Sequence, residues 1–373
     1  MRRFAWQSVL ALVLCLAGAA TLPLADAVSA LPFTIGQSAA IVLLLLISVV
    51  ISMSGISRLG GAVVLLFTVH IAAFMLVGGI AGNEGAARPS FFLLLAAAWL
   101  LAWRLNVLLA RLKPESAAGR SFQRFMVPAL FGIWILILWE GITRGAGVPF
   151  VLLPPPTSIA ARFANSLPIL GADLVQTVFK AVLAGYVIGC GSGFAVAILA
   201  DRVPFLRKGL LPIGNVVSAL PIIGVAPILV MWFGFDWPSK AAVVVVMTFF
   251  PMLVNTVAGL AASGHMERDL MRTYASNYWQ TLFKLRLPAA APFIFNALKI
   301  NSTLALIGAI VAEFFGTPIV GMGFRISTEV GRMNIDMVWA EIAVAAIAGS
   351  IFYGVVALVE RAVTFWHPSI RGG

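Results

Sequence analysis

The sequence predicts an all-α integral membrane protein of about ten transmembrane helices. Three observations predict it. Hydrophobic residues make up 61% of the 373 residues and charged residues 10%, with a mean hydropathy of +1.03. An ordinary soluble domain carries about 25% charged residues. Apolar runs near the length needed to cross a bilayer, about 20 residues, recur along the whole chain. Lys and Arg are shared unevenly between alternate connecting segments, as in proteins that retain cations on the cytoplasmic side.

The spans fall near 5–25, 35–53, 59–81, 90–110, 127–147, 172–200, 209–234, 239–261, 289–316 and 339–363. With the N-terminus in the cytoplasm, only Arg88, Arg144, Arg162, Lys240, Arg325 and Arg332 fall outside, and Lys180 and Lys299 within spans. The rest of the 25 Lys and Arg fall inside, which places both termini in the cytoplasm. This placement accounts for the net charge of +11 without nucleic acid, and no run of Lys and Arg interleaved with aromatics lies in a polar domain.

The first span admits two readings. Met1-Arg2-Arg3, the apolar run and Ala25-Asp26-Ala27 fit a cleavable signal peptide. An uncleaved first span is favoured, as is usual for multispan proteins. Spans one to four form a block over 1–110, in which a lone His70 reads as a helix-packing residue. Cys15 and Cys190 sit in apolar runs and read as small core residues, not as a disulfide or metal pair. The polar segment 111–125 (RLKPESAAGRSFQRF) is a cytoplasmic linker, and 126–373 holds the remaining six spans. Pro154, Pro155 and Pro156 impose an extended segment after the fifth span.

In the sixth span Gly185, Gly189 and Gly193 recur every four residues, which lets helix backbones approach closely in lipid. No strand precedes them, so a nucleotide-binding reading fails. The seventh span is broken by Pro212, Pro221 and Pro227, each removing a backbone donor; it reads as a pathway-lining helix or as a kinked packing helix. Asn255, Asn301 and Glu313 are polar groups at membrane depth and join Pro221 and Pro227 as candidates for a translocation path. Lys299 and Glu313 stand about 21 Å apart along a helix and do not pair. Lys299 is placed to snorkel to the interface, and Glu341 and Glu360 read as interfacial.

Between spans eight and nine lies a polar stretch, residues 263–288. Arg268, Arg272, Ser276, Gln280 and Lys284 recur every four residues, and Leu270/Met271, Tyr274/Ala275, Tyr278/Trp279 and Leu282/Phe283 fill the opposite side. That spacing predicts an amphipathic helix, or two short helices sharing one apolar stripe. Ser263 is placed to cap its start, and Pro288 marks the start of the next helix. The pattern suits a helix lying on lipid headgroups or a docking surface for a soluble partner.

The residues then narrow the choice. From Met126 onward the chain resembles the permeases of ABC importers of the nitrate/sulfonate/taurine type, whose cytoplasmic loop reads E-A-A, three residues, G, nine residues, I, one residue, L-P. Here Asp269-Leu270-Met271, Ala275, Leu285 and Leu287-Pro288 stand at those positions. Ala275 at the Gly position favours a smoother helical join than the sharp turn the family places there. Leu153-Pro154-Pro155-Pro156, Pro221, Ala226-Pro227, Trp232-Phe233-Gly234 and Ala312-Glu313 also read like the family.

The resemblance implies that Asp269, Leu270, Met271, Tyr274, Ala275, Tyr278, Trp279, Leu285, Leu287 and Pro288 couple the chain to a separate ATPase. It further implies a second permease copy, a cytoplasmic ABC ATPase dimer, an extracytoplasmic solute-binding protein and a bacterial-type inner membrane. ATP would be bound by the ATPase, with no cofactor or metal on this chain. The substrate would be a small solute: a sulfonate, taurine, nitrate, a thiamine or riboflavin precursor, or a pyrimidine. The sequence has no G-x-x-x-x-G-K-[ST] and no H-E-x-x-H, so it is not expected to be an enzyme. The alternative is a secondary transporter driven by an ion gradient, which calls for an internal repeat and intramembrane carboxylates as ion sites.

Overall fold

The computed structural model describes residues 5–26, 33–54, 56–218, 221–316 and 319–366. Arg2, Arg3, Ala27 and Arg371, used above for the signal-peptide and orientation readings, lie outside them. Among the described residues eight helices are long and apolar enough to span a bilayer, and two apolar ones are shorter. No strand is present there beyond an isolated bridge between Ala25 and Ala87. The protein is an all-α, multi-pass membrane protein, and the chain divides into two compact units, Met1–Ala161 and Arg162–Gly373.

The first unit contains α1 (Trp6–Ala20), α2 (Ile35–Met53), α3 (Arg58–Ile80), α4 (Pro89–Ala110) and α5 (Ala117–Gly145). Its buried centre includes Leu45, Leu65, Leu76, Phe91, Leu101 and Trp134. Hydroxyl groups tie the helices in pairs: Ser8 to Ser52 at 2.5 Å and Ser48 to Thr68 at 2.7 Å. His70 is satisfied on both nitrogens, with Nδ1 at 2.6 Å from the Leu66 carbonyl and Nε2 accepting from the Trp134 indole at 3.1 Å. The carbonyl contact fixes the proton on Nδ1, and His70 is a packing residue.

The sequence places a domain boundary at the 111–125 linker. The compact units are divided within the short helix α6 (Pro156–Asn165), and α5, which follows the linker, buries Leu130 and Trp134 against α3 and α4. Polarity marks a linker, but the apolar face of the helix that follows decides which core it joins.

The second unit contains α7 (Leu167–Arg202, with a π segment Val175–Val182), α8 (Pro204–Ser218), α9 (Ile222–Phe233) and α10 (Trp237–Ala261). It continues with α11 (His265–Thr273), α12 (Tyr278–Glu313, with a π segment Leu282–Arg286), α13 (Met322–Gly331) and α14 (Ile335–Val363). The single span expected at 209–234 is therefore two helices. Pro221 caps α9 in an extended conformation, and a proline disfavours helix in the residue before it.

Helix α10 packs along both α7 and α12. The glycines make the first contact possible. A Cβ at Gly185 would stand 2.6 Å from the Ala241 carbonyl oxygen, and one at Gly193 2.5 Å from that of Phe249. Both obstacles are backbone and cannot swing aside. Gly191, on the other side of α7, faces open space. Close backbone approach of this kind replaces the hydrophobic drive that lipid does not supply.

Two acids departed from their expected places. Glu341 is fully buried, and Glu360 is largely buried in an ion pair with Lys299 at 2.8 Å. Helix α14 turns these faces toward α12 and its neighbours, so Lys299 finds a partner on the next helix and does not need to reach the interface.

Gly185→Ala and Gly193→Ala are each expected to lower stability by about 1–3 kcal/mol through overpacking. Gly191→Ala is expected to be neutral. Thermal unfolding of the purified protein in one detergent compares all three, and equal midpoints would remove the glycine contact as the cause.

Candidate functional site

The polar stretch 263–288 folds as two helices that meet at a tight turn. Helix α11 ends in a Schellman arrangement: the Ser276 N–H donates to the Met271 carbonyl at 3.0 Å and the Ala275 N–H to that of Arg272 at 2.8 Å. Ala275 itself has φ +53°. The smoother join expected from alanine is thus not formed. Two satisfied helix-end carbonyls outweigh the steric cost of one left-handed alanine, about 1–2 kcal/mol. Asn277 then opens α12 with a capping box, accepting from the Gln280 N–H at 2.8 Å while the Asn277 N–H donates to the Gln280 side chain at 2.9 Å.

One other expectation changes and one holds. Ser263 does not cap α11, which starts after Gly264 without a side-chain cap; its Oγ accepts instead from Arg268 Nε at 2.8 Å. Pro288 stands, as expected, in the first turn of the α segment Leu287–Glu313, which follows the π segment without a break. Helix α12 runs from Tyr278 through Pro288 to Glu313. The wider π turn at Leu282–Arg286 lies immediately before the proline, where a regular helix would crowd the carbonyl one turn back.

The loop is fixed to the helix bundle by a buried ion pair. The Arg286 guanidinium donates two bonds of 2.6 Å to the two oxygens of Asp201, at the end of α7, and its Nε donates to the Leu260 carbonyl at 3.1 Å, at the end of α10. The Tyr278 hydroxyl donates to the same Asp201 at 3.2 Å. The Arg202 guanidinium lies over the Tyr278 ring, 5.1 Å from its centroid, and 5.8 Å from that of Trp279. A bidentate pair fixes direction as well as distance. Sequence reasoning missed Asp201, Arg202 and Arg286. Their signal was an acid and an arginine closing the sixth span on the same predicted side as the loop.

The apolar stripe divides into a buried part and an exposed part. Leu282 is fully buried with Leu260 and Ala290, and Tyr278 and Leu287 lie against that cluster. Met266, Leu270, Tyr274, Trp279 and Phe283 stay exposed, Tyr274 to 76%. Trp279 and Phe283 stack at 6.1 Å. Met271 and Leu285 are half-buried, while Asp269, Ala275 and Pro288 are exposed. Large apolar side chains grouped on an otherwise polar loop mark an interaction surface.

The path candidates lie elsewhere in the unit. Pro221 and Pro227 belong to α9. Asn255 donates to the Pro251 carbonyl at 2.8 Å within α10. Asn301 is fully buried and crosses helices, donating to the Thr248 carbonyl at 2.8 Å and to Cys190 Sγ at 3.2 Å. Glu313 accepts from the Thr177 hydroxyl at 2.8 Å and from the Gly323 N–H at 2.7 Å. Beside it Asp173 accepts from the Gly321 N–H at 2.6 Å and from Arg325 at 2.8 Å. Buried Lys240 donates to the Phe235 and Gly316 carbonyls. Asn301 and Glu313 thus serve as interhelical ties.

Near this cluster a cavity of about 610 Å³ is lined by Gln176, Lys180, Asp236 and small residues of α7. Gln176 donates to Asp236 at 2.9 Å and accepts from Lys180 at 2.9 Å. The Trp237 N–H, and then the Gln176 amide, hold the Asp236 carboxyl below the usual carboxylate range. Among the described residues no group of His, Cys, Asp and Glu is disposed to hold a metal ion.

Asp201→Asn is expected to lower stability by about 3 kcal/mol, because Arg286 would keep its charge at a site with little solvent. Replacing both partners by apolar residues costs less than either single change, and a double-mutant cycle on thermal unfolding measures the difference. Ala275→Gly is expected to stabilise the turn by about 1 kcal/mol. Hydrogen exchange at Ser276 should slow in that variant and speed up in Ala275→Val.

Comparison with known proteins agrees with this architecture. Residues 185–365 match the family described as binding-protein-dependent transport system inner membrane component. The riboflavin transport system permease protein RibX of Chloroflexus aurantiacus is 29% identical over 257 residues, covering 67% of this chain and 95% of that protein. The formylaminopyrimidine transport permease protein ThiX of Halalkalibacterium halodurans is 30% identical over 252 residues, covering 66% of this chain and 98% of its own length. The taurine transport system permease protein TauC of Escherichia coli is 24% identical over 251 residues, covering 64% and 88%. These matches favour an ATP-driven system over an ion-driven carrier and place the chain among transporter subunits, not enzymes. A glycine-packed helical unit carrying an anchored polar loop, matched across nearly the full length of such relatives, belongs to the family of binding-protein-dependent inner membrane components: the chain is an ABC transporter permease, which works with an ABC ATPase and a solute-binding protein.

Proposed function

We propose that this permease docks its ATPase through the exposed apolar group of the 263–288 loop and lines the path of a small heterocyclic solute. The observation that carries the docking reading is the pairing of exposure with anchorage. Leu270, Tyr274 and Trp279 face outward, while Asp201 and Arg286 lock the same loop to α7, α10 and α12. Force applied at the exposed side chains is then passed to three spans at once. A loop lying passively on headgroups has no need of that anchor. The heterocycle class rests on the match to the riboflavin and formylaminopyrimidine permeases across 95% and 98% of their lengths. Taurine, other sulfonates and nitrate form the second class, favoured by the match to the taurine permease. A homodimer of the permease in a bacterial-type inner membrane, with both termini and the loop in the cytoplasm, completes the reading. The excess of Lys and Arg on that side supports the orientation.

Tyr274→Ala and Leu270→Glu are each expected to keep normal membrane levels and to weaken ATPase association about 30-fold, the loss of a hot spot worth about 2 kcal/mol. Co-purification of the tagged permease with its ATPase reads this out, and retention of the ATPase by both variants would leave only a headgroup helix. For the orientation, single cysteines at Thr273 and Phe235, with Cys15 and Cys190 replaced, are expected to react with impermeant reagents from opposite faces of the membrane. Reaction from one face would overturn it. For the substrate, the cognate binding protein is expected to gain thermal stability with riboflavin or a formylaminopyrimidine, and not with taurine.

A further inference from the structure

Helices α4 and α5 of the first unit leave a slot between them. Its inner part is a cavity of about 480 Å³, lined by Trp99, Trp103 and Asn106 of α4 and by Val127, Pro128 and Phe131 of α5, among others. A second cavity of about 410 Å³ shares Ala110, Val127 and Pro128 with the first and is lined further by Arg120, Gln123 and Arg124. The two therefore form one groove, aromatic and apolar at one end and cationic at the other. Gln123 holds the cationic end together by donating to the Leu109 and Leu112 carbonyls at 2.6 and 2.9 Å.

The cations at this end are not compensated. Arg120 meets only backbone carbonyls, of Glu115 at 2.5 Å and Pro114 at 3.4 Å. Arg124 is exposed and has no ion pair among the described residues, and Arg104, Arg111 and Lys113 have none there either. Two polar atoms of α4 are also buried without a hydrogen-bond partner: Arg104 Nε and Asn106 Oδ1. The orientation rule explains the sign of this cluster but not the slot beside it.

We propose that the groove binds one anionic phospholipid, its phosphate on Arg120 and Arg124 and an acyl chain in the slot against Trp99, Trp103 and Phe131. A phosphate supplies the charge that the arginines lack, and arginine suits phosphate by its planar set of donors. The hydrocarbon fills a space that water would occupy poorly, since its lining is mostly apolar. The polarity of the groove matches that of a lipid: a charged head at one end, a chain at the other.

The test uses the full-length chain, delipidated in detergent and titrated with phosphatidylglycerol, with phosphatidylcholine of the same chains, and with sodium phosphate. Native mass spectrometry counts bound lipid and a thermal melt reports stabilisation. Phosphatidylglycerol is expected to bind as one copy about 30-fold more tightly than phosphatidylcholine, from two arginines near the headgroup at about fivefold each. Arg120→Gln with Arg124→Gln should abolish that preference, while Arg207→Gln with Lys208→Gln should leave it intact. Val127→Trp should fill the slot and lose both lipids, and Ala110→Phe does the same should the tryptophan prevent folding. Equal affinity for the two lipids in the unaltered protein overturns the proposal, as does a preference that survives loss of both arginines. Stabilisation by phosphate alone to the same extent, or full lipid retention in the slot-filling variants, overturns it too.

Discussion

The close approach of α7 to α10 through Gly185, Gly189 and Gly193 is the contact on which the second unit depends. Lipid solvates an apolar helix as well as another helix does, so association requires contact that lipid cannot match. Glycine supplies it by bringing backbone against backbone. Once α7 and α10 are fixed in this way, their ends are fixed too. At one end Asp201 and the Leu260 carbonyl come within reach of a single guanidinium, that of Arg286. At the other end Asp173 and Thr177 meet the loop after Glu313 and the start of α13.

The two ends solve one problem in different ways. Polar backbone at a helix terminus must be satisfied where water is scarce. On the loop side a charged side chain reaches in, so the Arg286 guanidinium satisfies both a carboxylate and a helix-end carbonyl. On the opposite side carboxylates reach out to backbone N–H groups of Gly321 and Gly323. Gly321 is required twice over there, since its φ is +139° and a Cβ would stand 2.8 Å from the Glu313 carboxyl. Each end is thus held by its own set of bonds.

The loop's outward face follows from the same anchoring. Tyr278 and Leu282 are drawn inward by Asp201 and the Leu260 cluster, and the remaining large side chains of the stripe have no surface of this chain left to cover. Beyond the turn at Ala275, Tyr278 and Leu282 face the permease core while Trp279 and Phe283 stay outside with the side chains of α11. A straight amphipathic helix would have presented one face to one neighbour, whereas two helices meeting at an angle serve two.

The sequence by itself determined the membrane class, the glycine face of α7, the amphipathic character of residues 263–288, and the family resemblance carried by Asp269, Ala275, Leu285 and Leu287-Pro288. Each is legible because it is local: periodicity, composition and spacing act over a few turns of helix. The tertiary structure alone decided that Arg286 pairs with Asp201 and Lys299 with Glu360, that Glu341 is buried, and that α5 joins the first core. It also decided that Ala275 takes a left-handed turn which its own preference opposes. These are choices among partners far apart in the chain. They are fixed by which helices stand side by side, and a guanidinium or carboxylate in a medium without water must take whichever partner that arrangement brings within reach.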